Sequence, residues 1–114
     1  MAMVLVVDDE PDYRFLLRML LRDHDVEVVE ASHGKQALEL VQERVPDVVV
    51  TDLWMPVMGG HELVEALRQD ERTADVRVLV WSADPDRTLP VDAIVPKPYG
   101  GDALVRQVTQ LLER

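Results

Sequence analysis

The stretch Val48-Val49-Val50-Thr51-Asp52, running on into Leu53-Trp54-Met55-Pro56, decides the fold. Three β-branched apolar residues in a row read as a strand buried on both faces, which is the habit of parallel sheets. The run ends on a carboxylate. A second stretch repeats the design, since Val4-Leu5-Val6-Val7 ends on Asp8-Asp9. In an open α/β sheet, ligands bind at the carboxyl ends of the strands. If the two strands are neighbours, three carboxylates meet in one crevice.

The composition narrows what such a crevice can be. A chain of 114 residues, 47% hydrophobic, is read as one globular domain over 1–114. It contains no cysteine, which excludes disulfides, thiolate metal sites and cysteine nucleophiles. With 12 basic and 22 acidic residues the net charge is −10. Phosphate contacts need a basic face, so nucleic acid is not an expected partner of this domain. No apolar run approaches a membrane span, and no signal peptide is evident, so a cytoplasmic protein is expected.

Outward from the central stretch the chain alternates. Met3 to Val7 reads as the first strand, and Pro11 suits the first turn of a helix over Pro11 to Arg22. Phe15, Leu16, Met19 and Leu20 form its expected buried stripe, with Arg14, Arg18 and Arg22 between them. Val26 to Glu30 is a second strand, at an edge. Ser32 is the expected cap of a helix over Lys35 to Arg44, with Gln36 as its capping-box partner. Gly59-Gly60 gives the loop after Pro56 freedom for positive φ. A helix from His61 to Gln69, a strand from Val76 to Trp81, a strand from Ala93 to Val95 and a helix from Asp102 to Leu112 complete the order.

Such alternation predicts an α/β, doubly wound, five-stranded parallel sheet with right-handed crossovers. One crossover departs from the rule. The residues between Ser82 and Ala93 hold two prolines and almost no apolar stripe, so at most a turn is expected where a fourth helix would stand.

Asp8, Asp9 and Asp52 carry the chemistry. Two carboxylates roughly 4 Å apart repel by about 1 kcal/mol in water and about 4 kcal/mol at an effective dielectric of about 20. Three at one rim call for a cation, and an all-oxygen donor set suits Mg2+. Ser82 and Lys97 end the fourth and fifth strands. If both strands lie beside the third, a hydroxyl donor and an ammonium face the acids. Lys97-Pro98 is also a bond at which cis is accessible. Together these groups suit the movement of a phosphoryl group, by positioning and charge neutralisation. A carboxylate can itself be the nucleophile. Asp52 is the candidate, because it stands alone while Asp8-Asp9 supply metal ligands.

The motifs Val6-Val7-Asp8-Asp9-Glu10-Pro11, Val50-Thr51-Asp52-Leu53-Trp54-Met55-Pro56 with Gly59-Gly60, Trp81-Ser82-Ala83 and Pro96-Lys97-Pro98-Tyr99 carry a resemblance over nearly the whole chain. It resembles the receiver domain of bacterial two-component response regulators. The resemblance implies a flavodoxin-like sheet of order 2-1-3-4-5. It implies that Asp52 accepts phosphate from a histidine kinase or a histidine phosphotransfer protein. Asp9, Asp52 and the backbone carbonyl of Trp54 would bind Mg2+, with Asp8 helping through water. Ser82 and Lys97 would bind the phosphoryl oxygens. The aromatic switch residue common on the fifth strand of such domains would fall on Ile94, so the usual relay is altered.

Three functions follow as expectations. The first is a phosphorylatable receiver, not an enzyme in the turnover sense, signalling through a downstream protein or a homodimer because no effector follows Arg114. The second is a binding module of the same fold that does not depend on phosphate. The third is a small Mg2+-dependent phosphatase. A missing fourth helix would also leave one flank of strands four and five poorly covered and open to a partner. Trp81 reads as a core side chain, and His24, His33 and His61 as surface residues.

Overall fold

The computed structural model describes residues 1–98 and 101–114. Tyr99, quoted in the last motif, lies outside them. Along the chain the described residues form β1 (Ala2–Val7), α1 (Pro11–Leu20), β2 (Val26–Ala31), α2 (Gly34–Glu43), β3 (Val48–Thr51), α3 (Gly60–Gln69), β4 (Arg77–Ser82), β5 (Ala93–Pro96) and α4 (Gly101–Leu112). The strands make one parallel sheet of order β2-β1-β3-β4-β5.

The β-branched run at 48–50 sits at the centre of this sheet because every residue of it is buried. Side chains alternate across a strand, so successive residues feed opposite layers. Val4, Val6, Val48, Val50, Leu79 and Trp81 face α1 and α4, meeting Leu17, Leu21, Leu104 and Val108. Leu5, Val7, Val49 and Val78 face α2 and α3, meeting Ala37, Val41, Leu63, Val64 and Leu67. The sheet is thus covered on both faces.

The structure turns α1 away from its expected orientation. Leu17 is fully buried, while Phe15 is 62% exposed and Leu16 and Met19 are also exposed. The buried stripe is Tyr13, Leu17, Leu20 and Leu21. Two apolar stripes compete in this sequence, and the arginines decide between them. Arg14 and Arg18 both reach Glu30 on β2, and Arg14 also donates to the Asp8 carbonyl. These anchors fix the rotation of the helix.

The cap of α2 falls one residue later than expected. His33 is the N-cap, and its Nδ1 accepts from the Gln36 N–H. Gln36 Oε1 accepts from the Ser32 N–H at 2.7 Å, so the return bond lands one residue before the cap instead of on the cap as in a capping box.

Between β4 and β5 there is no helix, as the sequence predicts. The expected uncovered flank is not found. Val78 and Val80 are fully buried, and Val91 of the connecting segment packs onto the α2–α3 side of the core. Side chains hold the segment down: Trp54 Nε1 donates to the Asp84 carbonyl, His61 meets Asp86, and Arg68 donates to the Pro90 carbonyl. His61, expected to be a plain surface residue, is therefore one of the pins.

Candidate functional site

Register brings the acids together. β1 and β3 pair with Val7 opposite Thr51, so the next residues, Asp8 and Asp52, leave the sheet side by side. Asp8, Asp9 and Asp52 each offer a carboxylate oxygen, all within 4.8 Å of one another. On the far side, Ser82 pairs with Pro96, and the Ser82 carbonyl accepts the Lys97 N–H at 3.0 Å. Lys97 then reaches back across β4 and β3. Its Nζ donates to Asp8 Oδ2 at 2.5 Å and to Asp52 Oδ2 at 3.0 Å. The Lys97–Pro98 bond is cis.

The remaining carboxylate oxygens are held by backbone. Asp8 Oδ1 accepts from the Glu10 N–H and Asp52 Oδ1 from the Leu53 N–H. Ser82 is buried at the end of β4, where its Oγ accepts from the Asp84 N–H. Trp54 follows Asp52 by two residues, with an exposed indole. Thus Asp8, Asp9, Asp52 and Lys97 form one cluster. Ser82 and Lys97 are joined through the β4–β5 ladder, and Trp54 lies on the loop beside Asp52.

The electrostatics are those of a partly neutralised acid pair. Burial draws the Lys97 ammonium down, but its hydrogen bonds to Asp8 and Asp52 outweigh this and hold it above its ordinary value. Burial pushes the Asp8 carboxyl up, against the pull of Lys97 and the Glu10 N–H. One ammonium shared between two carboxylates leaves Asp8 short of positive charge. Hard oxygen donors, close together and under-compensated, fit a small divalent cation such as Mg2+.

The β3–α3 loop is shaped by close approach. A Cβ on Gly60 would strike the Asp52 carbonyl oxygen and stand 2.9 Å from Leu53 Cα. The expected positive φ does not fall on the glycines. Val57 carries it, at φ 70°, while Gly59 is extended at φ −84°. The glycines at 59 and 60 serve proximity, and the strain falls on an exposed valine.

Two side chains that the sequence analysis did not place in the site line it from below. The Tyr13 ring centroid lies 3.8 Å from Lys97 Nζ. Trp81 lies 5.5 Å from the same atom and meets Tyr13 edge to face, with centroids 5.1 Å apart. The available signal was position: Tyr13 falls in the first turn of the helix that leaves the acid pair.

An acidic rim at the carboxyl ends of a doubly wound parallel sheet, bridged by a buried lysine, stands where such α/β modules bind their ligands. Residues 4–109 match the response regulator receiver domain family, and the chain belongs to that family. It is 37% identical over 116 residues to the sensor histidine kinase TmoS of Ectopseudomonas mendocina, covering 96% of this chain and 12% of that protein. It is 31% identical over 118 residues to the transcriptional regulatory protein CpxR of Escherichia coli, covering 100% of this chain and 50% of that one. The chain therefore spans half or less of these two relatives. Among solved structures it is similar to the chemotaxis protein CheY4 of Vibrio cholerae, with a TM-score of 0.88, 28% identity and coverage of 97% and 98%. It is also similar to the response regulator TrrA of Thermotoga maritima in complex with Mg2+-BeF, with a TM-score of 0.87, 30% identity and coverage of 97% and 99%. Among the described residues no helix is long and apolar enough to cross a membrane.

Proposed function

We propose that Asp52 is the phosphoacceptor of this receiver domain and that Asp8, Asp9, Asp52 and the Trp54 carbonyl hold Mg2+ beside it. The observation that carries the reading is the Lys97 bridge, which joins Asp8 and Asp52 through one buried ammonium. A carboxylate oxygen of Asp52 attacks the phosphorus of a kinase or phosphotransfer-protein phosphohistidine. The P–O bond forms as the P–N bond breaks, and the imidazole leaves with the electron pair. Bound Mg2+ supplies neutralisation of the carboxylates and of the phosphoryl oxygens. Lys97 takes a share of the charge on those oxygens, and the Ser82 hydroxyl donates to one of them. Hydrolysis of the acyl phosphate then returns the domain to rest, so the chain acts as a signalling domain in the cytoplasm. The exposed Phe15, Leu16 and Met19 on the helix leaving the acid pair give the donor protein an apolar surface next to the site.

The test is incubation with Mg2+ and acetyl phosphate, followed by intact mass. One added phosphoryl group, absent in Asp52→Asn, is the expected result. A protein that neither gains the adduct nor binds Mg2+ is instead a phosphate-independent interaction module. The pinned helix-free segment after Ser82 and the aliphatic Ile94 favour that second reading. Steady phosphate release without an adduct would mark a phosphatase.

A further inference from the structure

Lys97 is asked to do more than neutralise acids at rest. Transfer of a phosphoryl group to Asp52 turns one of the two carboxylates that now hold its ammonium into an acyl phosphate, so the acceptors around Lys97 change in charge and in place. A lysine ends in a compact charge on a flexible four-carbon stem, so carboxylates alone leave it poorly placed once that charge changes. The structure supplies a holder whose charge does not change. Two N–H groups of Lys97 go to Asp8 and Asp52, and the Tyr13 ring closes another side of the ammonium at 3.8 Å. This is within the range of a strong cation–π contact, and the lysine side chain is only 4% exposed, so the contact is desolvated.

The ring is itself fixed from two directions. Trp81 stands against it at 85° between planes, buried in the α1–α4 layer among Leu17, Leu104 and Val108. Among the described residues the Trp81 Nε1–H has no hydrogen-bond partner, so what this buried indole offers at that position is its ring. From the other side, Arg14 ties the first turn of α1 to the Asp8 carbonyl at 2.6 Å and to Glu30 at 3.0 Å. Tyr13 therefore cannot drift from the strand ends.

Resting on the phosphoacceptor reading above, we propose that Tyr13, backed by Trp81, is a positioning residue for phosphotransfer: its ring face holds the Lys97 ammonium at the carboxylate rim. The hydroxyl is not what matters, so Tyr13→Phe keeps the function. Tyr13→Leu and Tyr13→Met keep bulk at a half-buried helical position but lose the ring face.

Two measurements on the full chain test this. In the metal-free, unphosphorylated protein, the ring currents of Tyr13 and Trp81 shift the Lys97 ε-methylene resonances upfield. That shift is expected to persist in Tyr13→Phe and to shrink in Tyr13→Leu and Tyr13→Met. With acetyl phosphate and saturating Mg2+, the maximal phosphorylation rate is expected to fall roughly thirty-fold in the non-aromatic variants, the worth of one desolvated cation–π contact. The half-saturating donor concentration stays unchanged, and Tyr13→Phe matches the wild type. A wild-type rate in both non-aromatic variants overturns the proposal, as does a Tyr13→Phe protein as slow as Tyr13→Leu. A wild-type protein that takes no phosphoryl group at all overturns the phosphoacceptor reading, and this one with it.

Discussion

Replacing Lys97 by Met tests the charge balance of the site directly. Lys97 Nζ lies 2.5 Å from Asp8 and 3.0 Å from Asp52. At an effective dielectric of about 20, each contact is worth about 6 kcal/mol of attraction. Burying the ammonium costs several kcal/mol, so the net value is far smaller than the sum. Removing one partner of such a group typically costs about 3–5 kcal/mol, because a buried charge is stranded. Asp8, with a side chain 1% exposed, is the group stranded here. Its escape is to take a proton. From the ordinary value of 3.8 this costs about 4 kcal/mol at pH 7, which caps the loss. We therefore expect Lys97→Met to be about 3–4 kcal/mol less stable at pH 7 in the presence of a chelator, a drop of roughly 12–15 °C in Tm. The gap should narrow toward pH 4, where protonating the Asp8 carboxyl costs little. It should narrow again with millimolar Mg2+, which binds the freed acids without first displacing an ammonium. The double variant Asp8→Asn/Lys97→Met should recover part of the loss, since it strands no charge at 8. Thermal melts of the three proteins, with chelator and with Mg2+, decide it. If Lys97→Met melts with the wild type in chelator, or if Mg2+ leaves the gap unchanged, the charge argument is wrong.

Further outcomes follow from single positions. Val57 holds φ 70° with its side chain 72% exposed, so Val57→Gly relieves a left-handed β-branched residue at no packing cost. A gain of about 1 kcal/mol is expected in urea denaturation with an unchanged m-value. Gly60→Ala sets a Cβ against the backbone of Asp52 and Leu53 and should cost about 2–3 kcal/mol, slowing acetyl phosphate labelling as the acceptor is displaced. Glu30 is held below its ordinary value of 4.5, first by the Arg18 hydrogen bond and then by Arg14. Its contribution is complete above that value and disappears as acid passes below it. Glu30 is a third exposed and Arg18 nearly half, so Glu30→Gln should lose about 0.5–1 kcal/mol at pH 7, less in high salt, and converge on the wild type in acid.

What was legible in the sequence was what short range determines. The Val48–Val50 run, the strand-ending acids and the helix periods fix the sheet, both layers and the rim on which Asp8, Asp9, Asp52 and Lys97 meet. The strand order itself came through the likeness of motifs rather than from any local pattern. The rotation of α1 was not legible, because Phe15–Leu16–Met19 and Tyr13–Leu17–Leu20 are equally good apolar stripes. The choice is made by Arg14 and Arg18 binding Glu30, across 16 and 12 residues of chain. Tyr13 and Trp81 were hidden for the same reason. Their meeting with Lys97 depends on three elements converging, and no spacing in the chain encodes it. The strain on Val57 was missed because Gly59 and Gly60, two and three residues on, are the natural candidates for that conformation.

Arg68 gives the stretch between β4 and β5 a property that a helix there would not confer. Its guanidinium donates to the carbonyls of Ala74, Val76 and Pro90 and meets Asp92, so one side-chain cation fastens the C-terminal end of that stretch to the residues that lead into β4. A helical crossover resists release through its own ladder of backbone bonds. This one is a flap on a clasp, detachable at the free energy of a few surface bonds while the sheet beneath stays intact. Amides of residues 83–92 should thus exchange with deuterium far sooner than those of β3, and the rate at which the flap lifts is set at α3, the helix that begins directly behind the acceptor loop.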